Sequence, residues 1–315
     1  MTMNTVNILP QLPFAQPDVL DVAPELRRLA AEQPVARIRT SAGDLAWLVT
    51  RYDDVKALAA DPRIGNSHDD PASAPRFSES ALLGRPAVDA GTEQQFSNRV
   101  RKLLTPAFTP RRVRALQARV GDDVISDLVA AGPQWQLTND DIALFAGMLL
   151  FAGHASTSIR IDFGTLLLLS NPGQVDALLR DPGLIPGAVE EIIRMTSPGD
   201  SGLTRYANAD IDIGGVTIGK GDAVLLSTAM ANRDERAFPD PDRFDVTRDP
   251  NPHLGFGHGR RFCIGASLAR AELTAVAGQL FQRFPSLRLA AGIDDLWVHT
   301  DLLPGGLSHL PVTWS

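Results

Sequence analysis

A glycine-rich segment carrying the chain's single cysteine is the sequence feature best suited to chemistry. It reads Phe-Gly-His-Gly-Arg-Arg-Phe-Cys-Ile-Gly over residues 256–265, and a helical pattern follows at once. Glycines permit a tight turn and the close approach of a planar ligand. A cysteine just before a helix lies at the positive end of the helix dipole, and two arginines lie nearby, so both effects favour the thiolate of Cys263.

A thiolate in such a loop is either a metal ligand or a nucleophile. A nucleophile needs a histidine base, and His258 and His253 are the nearest candidates along the chain. A lone cysteine is by default a small buried hydrophobic residue. The neighbouring sequence is therefore needed to distinguish between these roles of Cys263.

Several segments together resemble one family. The loop fits the cytochrome P450 pattern F-x-x-G-x-x-x-C-x-G at four positions: Phe256, Gly259, Cys263 and Gly265. A helix of that family carries E-x-x-R, and this chain has Glu191-Ile-Ile-Arg194. Residues 232–234, 241–244 and 252–257 are also similar to soluble bacterial members. The resemblance, to P450s of the macrolide or secondary-metabolite type, covers most of the chain and is strongest from about residue 141 onward.

The resemblance implies a haem b cofactor with Cys263 as the thiolate ligand of the iron. Arginines suit the planar carboxylates of the haem propionates, and the family pattern assigns this role to Arg101, Arg205 and Arg261. The same pattern places three further residues around the cofactor: His253, Phe256 and Gly265. It also implies a structural ion-pair network of Glu191 and Arg194, joined by Arg243.

The chain departs from the family pattern on the long helix opposite the cysteine. Members usually read A-G-x-[D/E]-T, and this chain reads Ala152-Gly-His-Ala-Ser-Thr157. The acid position holds Ala155, so Ser156 and Thr157 are the hydroxyl groups left to help deliver protons. Both hydroxyls could instead bond to the preceding helical turn. On the helix that carries Arg101, Ser97 replaces a histidine that would contact a propionate.

The elements that must position these residues are mainly helices. The spacing predicts a helix from Thr138, which fits a capping box with Asp141, to about Ser170, where Asn171-Pro172 ends it. Gly153 within that helix costs about 1 kcal/mol relative to alanine, which suggests a close neighbour. Asp53 is expected to cap a helix ending near Ala60. Further helices are predicted at 185–195 and 267–284, and hairpins at Ser41–Asp44 and Gly214-Gly215.

Fold class follows as mainly α with small β-sheets, a P450 fold truncated in its middle. We interpret 1–315 as a single haem domain. The helices that normally roof the substrate pocket are missing, with a junction expected near 120–121. Substrate-facing residues are expected in 65–86, 195–203 and 303–307, together with Ala152 and Ala155.

Composition limits the partners. The 315 residues include 30 Lys plus Arg and 37 Asp plus Glu, a net charge of −7, which argues against nucleic acid or an anionic membrane. With one cysteine and an N-terminus lacking a signal-peptide pattern, we expect a cytoplasmic protein. The longest apolar stretch, 142–152, is too short to span a bilayer.

The leading hypothesis is a haem-thiolate monooxygenase. It would insert one oxygen atom from O2 into a small organic substrate, using electrons from a ferredoxin and its NAD(P)H-dependent reductase. Two alternatives stay open. One is a haem protein catalysing a cyclisation, a rearrangement or a peroxide-driven oxidation, which Ala155 and the missing roof favour. The other is a P450-like scaffold that binds a partner protein.

Overall fold

A computed structural model describes residues 9–80, 84–86, 89–111, 129–130, 133–134, 137–196, 202–299 and 305–314. The expected junction near 120–121 lies outside these residues, as do parts of the expected substrate-facing segments. The helices that matter below are α1 Pro24–Glu32, α2 Tyr52–Ala60, α3 Glu93–Leu104, α4 Asn139–Ser170, α5 Pro172–Arg180, α6 Ile185–Met195, α7 Thr228–Ala231 and α8 Ala266–Arg283. As predicted, the fold is mainly α with small sheets.

The strands form one five-stranded sheet and two hairpin-like pairs. They are β1 Val35–Arg39, β2 Leu45–Val49, β3 Ile64–Gly65, β4 Leu203–Ala207, β5 Ile211–Ile213, β6 Val216–Ile218, β7 Ala223–Leu226, β8 Arg288–Leu289 and β9 Val312–Thr313. The large sheet has the order β1-β2-β7-β4-β3. Only the β2–β7 pair in it is parallel.

Both predicted hairpins are present. Gly43 takes a φ of 85° in the turn between β1 and β2, and Gly214 and Gly215 take φ values of 58° and 78° between β5 and β6. Such positive φ angles favour glycine. The prediction that Asp53 caps α2 is wrong. The helix starts two residues earlier than that cap implies, at Tyr52, with Arg51 in the N-cap position and the Tyr52 backbone N–H donating to the Asp234 carboxylate at 2.9 Å.

The long helix α4 has the predicted bounds. The Thr138 hydroxyl accepts from the Asp141 N–H at 3.2 Å, and the Asp141 carboxylate accepts from the Thr138 N–H at 2.9 Å, which completes the capping box. The N-terminal half is largely exposed, with Leu150 at 73%. Residues from Ile159 to Leu168 alternate between the core and a half-buried face, so the C-terminal half provides most of the anchoring, while in the N-terminal half the buried Phe145 packs against Leu104 of α3.

A close crossing holds α4 against α6. A Cβ on Gly164 would lie 2.8 Å from Ile192 Cγ2, a distance that real contacts do not show. Glycine at this position therefore lets the two helices approach each other. Helix α6 buries Val189 and Ile193 on its other side against Leu273 of α8, so the three helices form one packed layer.

Helix α4 is the one described helix long and apolar enough to cross a membrane, with a best mean hydropathy of 1.6. It also carries Arg160 and Asp162 among its core-facing turns. The long, apolar helix α4 thus packs in the core mainly through its C-terminal half, and its N-terminal half is largely exposed.

Candidate functional site

The cysteine loop is a tight turn that presents its thiol at the surface. Gly257 and Gly259 take φ values of 73° and 71°, and the Cys263 N–H donates to the Phe256 carbonyl at 2.9 Å. A Cβ on Gly259 would lie 2.9 Å from Ala60 Cα, so glycine is needed for the loop to pack on α2. Cys263 is exposed and stands just before α8.

Three arginines predicted from the sequence gather around this loop. Arg101 of α3 donates to the Phe262 carbonyl at 2.5 Å. Arg261 donates to the Ile64 carbonyl at 2.8 Å and pairs with Glu93. Burial, followed by the positive charge of Arg261, lowers the pKa of Arg205 to about 10. The loop therefore has an excess of positive charge beside it.

Glu93 was not found by sequence reasoning. Burial disfavours its charged form, but hydrogen bonds from Asn66 N–H, the Ser67 hydroxyl and Arg261 together lower the pKa of the Glu93 carboxyl. It thereby holds Arg261 in place beside the cysteine loop. Glu93 begins α3, and nothing in the local sequence connects that helix start to residue 261.

The predicted ion-pair network exists, with one correction. Glu191 and Arg194 are fully buried and joined by bonds of 2.7 and 2.8 Å. Arg243 was expected to join them, but its side chain is 65% exposed and lies 3.8 Å from Asp245, while its backbone carbonyl accepts from Arg194. Arg248 fills the role instead, with Nε 3.2 Å from Glu191.

His253 belongs to a second network beneath the loop. Its Nε2 lies 3.0 Å from Glu190, and its Nδ1 accepts from the Gly255 N–H at 3.2 Å, so the proton sits on Nε2. Arg270 pairs with the same Glu190 and stacks 4.5 Å over the Phe256 ring. Among the described residues, neither His253 nor His258 hydrogen-bonds the Cys263 thiol, so the geometry does not provide the histidine-activated nucleophile.

The hydroxyl groups of α4 have separate partners. Ser156 Oγ donates to the Ala152 carbonyl at 2.6 Å, which is the bond to the preceding turn. Thr157 instead lies close to the Glu272 carboxyl of α8, whose pKa is raised by partial burial and lowered again, to a smaller extent, by that hydroxyl. Apart from the helix's own backbone, no described protein atom lies within 4 Å of a Cβ built on Gly153. The close neighbour that the sequence suggested for this glycine is therefore not found among the described residues.

The residues present fit a haem. Cys263 and Phe262, which is 42% exposed, offer a thiolate and an aromatic face together. Among the described residues, Arg261 alone of the three arginines has a carboxylate within 4.0 Å, which leaves Arg101 and Arg205 for the two propionates. The buried Nε of Arg160 has no hydrogen-bond partner. A cysteine just before a helix, flanked by two arginines that no described carboxylate pairs, fits the site of a haem-thiolate protein.

Comparison with known proteins identifies the family. The cytochrome P450 profile matches residues 184–289. Pentalenolactone synthase of Streptomyces exfoliatus is 34% identical over 98% of this chain and 100% of its own length. The 6-deoxyerythronolide B hydroxylase of Saccharopolyspora erythraea is 31% identical over 91% and 94%. The chain belongs to the cytochrome P450 family, so it is a haem-dependent oxidoreductase.

Solved structures agree with this assignment. The substrate-free P450 PimD, a pimaricin epoxidase, superposes with a TM-score of 0.82 at 34% identity, covering 97% of this chain and 99% of that one. The alignment with pentalenolactone synthase extends over 402 positions, although this chain has only 315 residues. The chain is thus shorter than relatives that it matches from end to end.

Proposed function

We propose that this P450 inserts one oxygen atom from O2 into a small organic substrate of the secondary-metabolite kind. The observation that carries the proposal is the exposed Cys263 thiol in its glycine-rich turn before α8. A thiolate ligand pushes electron density onto haem iron and favours O–O cleavage, which is the chemistry that the cofactor supplies. Relatives named as an epoxidase and a hydroxylase support oxygen insertion.

The chain's own residues would hold the cofactor from two sides. Cys263 would ligate the iron, with Phe256, Gly265 and the His253 network supporting the loop. Arg101 and Arg205 would donate to the propionates, and Arg261 would add its charge while remaining bound to Glu93. These assignments use the positive charge that the structure leaves without carboxylates.

Proton delivery would depend on Thr157 more than on Ser156. The Ser156 hydroxyl already donates to the Ala152 carbonyl. Thr157 lies close to the Glu272 carboxyl, whose raised pKa favours the form that can release a proton. With Ala155 at the usual acid position, Glu272 is the acid that would supply this proton.

Electrons would come from a ferredoxin and its NAD(P)H-dependent reductase. We place the protein in the cytoplasm, because a single cysteine that must remain a thiolate suits a reducing compartment. The acidic net charge of −7 gives no support for an anionic membrane or nucleic acid as a partner.

A spectrum and a turnover assay test the proposal together. Haem-loaded protein, reduced and exposed to CO, should give the haem-thiolate spectrum, and Cys263→Ser should lose it. Product should then require O2, ferredoxin, reductase and NAD(P)H together. A chain that takes up no haem would favour the partner-binding scaffold, and an unchanged Cys263→Ser spectrum would exclude Cys263 as the ligand.

A second candidate is a haem-dependent reaction without oxygen insertion from O2. Ala155 and the exposed first half of α4 favour it, because an open site admits water and lacks the usual acid. Product formed with peroxide alone would indicate a peroxide-driven oxidation. Product formed with neither electrons nor peroxide would indicate a cyclisation or rearrangement.

A further inference from the structure

Arg160 of α4 carries a guanidinium bound to the cysteine loop, and no role described above uses it. It lies four residues after Ser156, so both side chains lie on the same face of α4. Nη1 lies 3.3 Å from the Ser156 carbonyl, and Nη2 donates to the Gly255 carbonyl at 3.1 Å. Its Nε is buried without a hydrogen-bond partner.

No described carboxylate neutralises the charge of Arg160, since within the described part of the chain no acidic oxygen lies within 4.0 Å of it. Asp162 is two residues away, but burial alone raises the pKa of Asp162, so that carboxyl does not pair with Arg160. Burial lowers the pKa of Arg160, and the one charge that opposes this effect is that of Cys263.

A buried cation bound to the cysteine loop would act on a haem that Cys263 ligates. Reduction of the ferric iron adds one negative charge and no proton is required. A fixed positive charge stabilises that added charge. For a unit charge about 10 Å away at an effective dielectric constant of about 20, the effect is roughly tenfold in the equilibrium constant for reduction.

We propose that Arg160 is a redox-tuning residue, which raises the midpoint potential of the haem iron by placing beside the cysteine loop a positive charge that no described carboxylate pairs. The inference rests on haem binding and not on the proposed oxygen insertion. The competing explanation is mechanical: Arg160 would only tie α4 to the Gly255 carbonyl. The two explanations differ in whether charge or hydrogen bonding matters.

Three variants separate charge from hydrogen bonding. Arg160→Met removes both, Arg160→Gln keeps an N–H donor without charge, and Arg160→Lys keeps charge. Arg180→Met is the matched control, because it removes an arginine charge from an exposed position on α5. The potential of each haem-loaded protein is measured by anaerobic titration with dithionite, a one-electron donor in this step, without substrate or ferredoxin.

We expect Arg160→Met and Arg160→Gln to lower the reduction equilibrium constant roughly tenfold, which is 59 mV for one electron. Arg160→Lys should retain most of the potential, and Arg180→Met all of it. If Arg160→Met fails to load haem, the Gln and Lys variants decide. Equal potentials in the Gln, Lys and parent proteins would overturn the proposal, and so would a Lys variant shifted as far as Gln. Either result leaves the turnover assay unaffected.

Discussion

At the scale of single residues, the ion pair of Arg194 and Glu191 is important for stability because both charged side chains are fully buried. Removing one member of such a pair leaves the other charge in the core and typically costs about 3–5 kcal/mol. Arg194→Met should therefore lower the free energy of unfolding in urea by several kcal/mol. Arg243→Met is the control, since that side chain is 65% exposed and should change stability by less than about 0.5 kcal/mol. Equal losses in the two variants would contradict the network described above.

The same residues show what a sequence can and cannot specify. Glu191 and Arg194 were predictable because they match the E-x-x-R helix of the family that the chain resembles, and a spacing of three lets both side chains meet on one helix face. The third arginine was not, because Arg243 and Arg248 lie in one irregular segment and only its folded path decides which reaches Glu191. The pairing of Glu93 with Arg261 joins residues 168 positions apart, which no local pattern encodes.

At the scale of elements, Gly164 controls how closely α4 and α6 approach. Alanine normally stabilises a helix interior by about 1 kcal/mol relative to glycine. At Gly164 the added methyl group would lie 2.8 Å from Ile192 Cγ2. The β-branched side chain of isoleucine is stiff and cannot easily move aside. Such overpacking costs about 1–3 kcal/mol. We expect Gly164→Ala to destabilise the protein or leave it unchanged. Gly147→Ala on the same helix meets no described atom within 4 Å and should stabilise it.

Urea unfolding of the two alanine variants measures the difference directly. A Gly164→Ala protein as stabilised as Gly147→Ala would mean that the crossing has room for a methyl group. The bounds of α4 were predictable because its signals, the Thr138 cap and Asn171-Pro172, are local. The parallel pairing of β2 with β7 was not, since its partners, such as Ala46 and Ala223, are far apart in the chain.

At the scale of the whole molecule, the shortness of the chain is consistent with the apolar surface that α4 exposes. Relatives align over about 400 positions, and the half of α4 that precedes the site exposes apolar side chains, among them Leu144, Met148 and Leu150. The shortage of residues was predictable from the motifs, because the spacing between Arg101 and the long helix is too small for the usual helices. The junction expected near 120–121 stays a prediction.

Exposure along α4 also predicts how the two halves of one helix respond to the same change. Leu150 is 73% exposed and Leu166 is fully buried. Leu166→Ala should cost about 2–5 kcal/mol through lost burial and the cavity left behind, whereas Leu150→Ala should stay within about 0.5 kcal/mol. Urea unfolding of the haem-loaded variants checks both values. A cost at Leu150 comparable to that at Leu166 would mean that the first half of α4 is covered in solution. The exposure of that half could then no longer support the second candidate function.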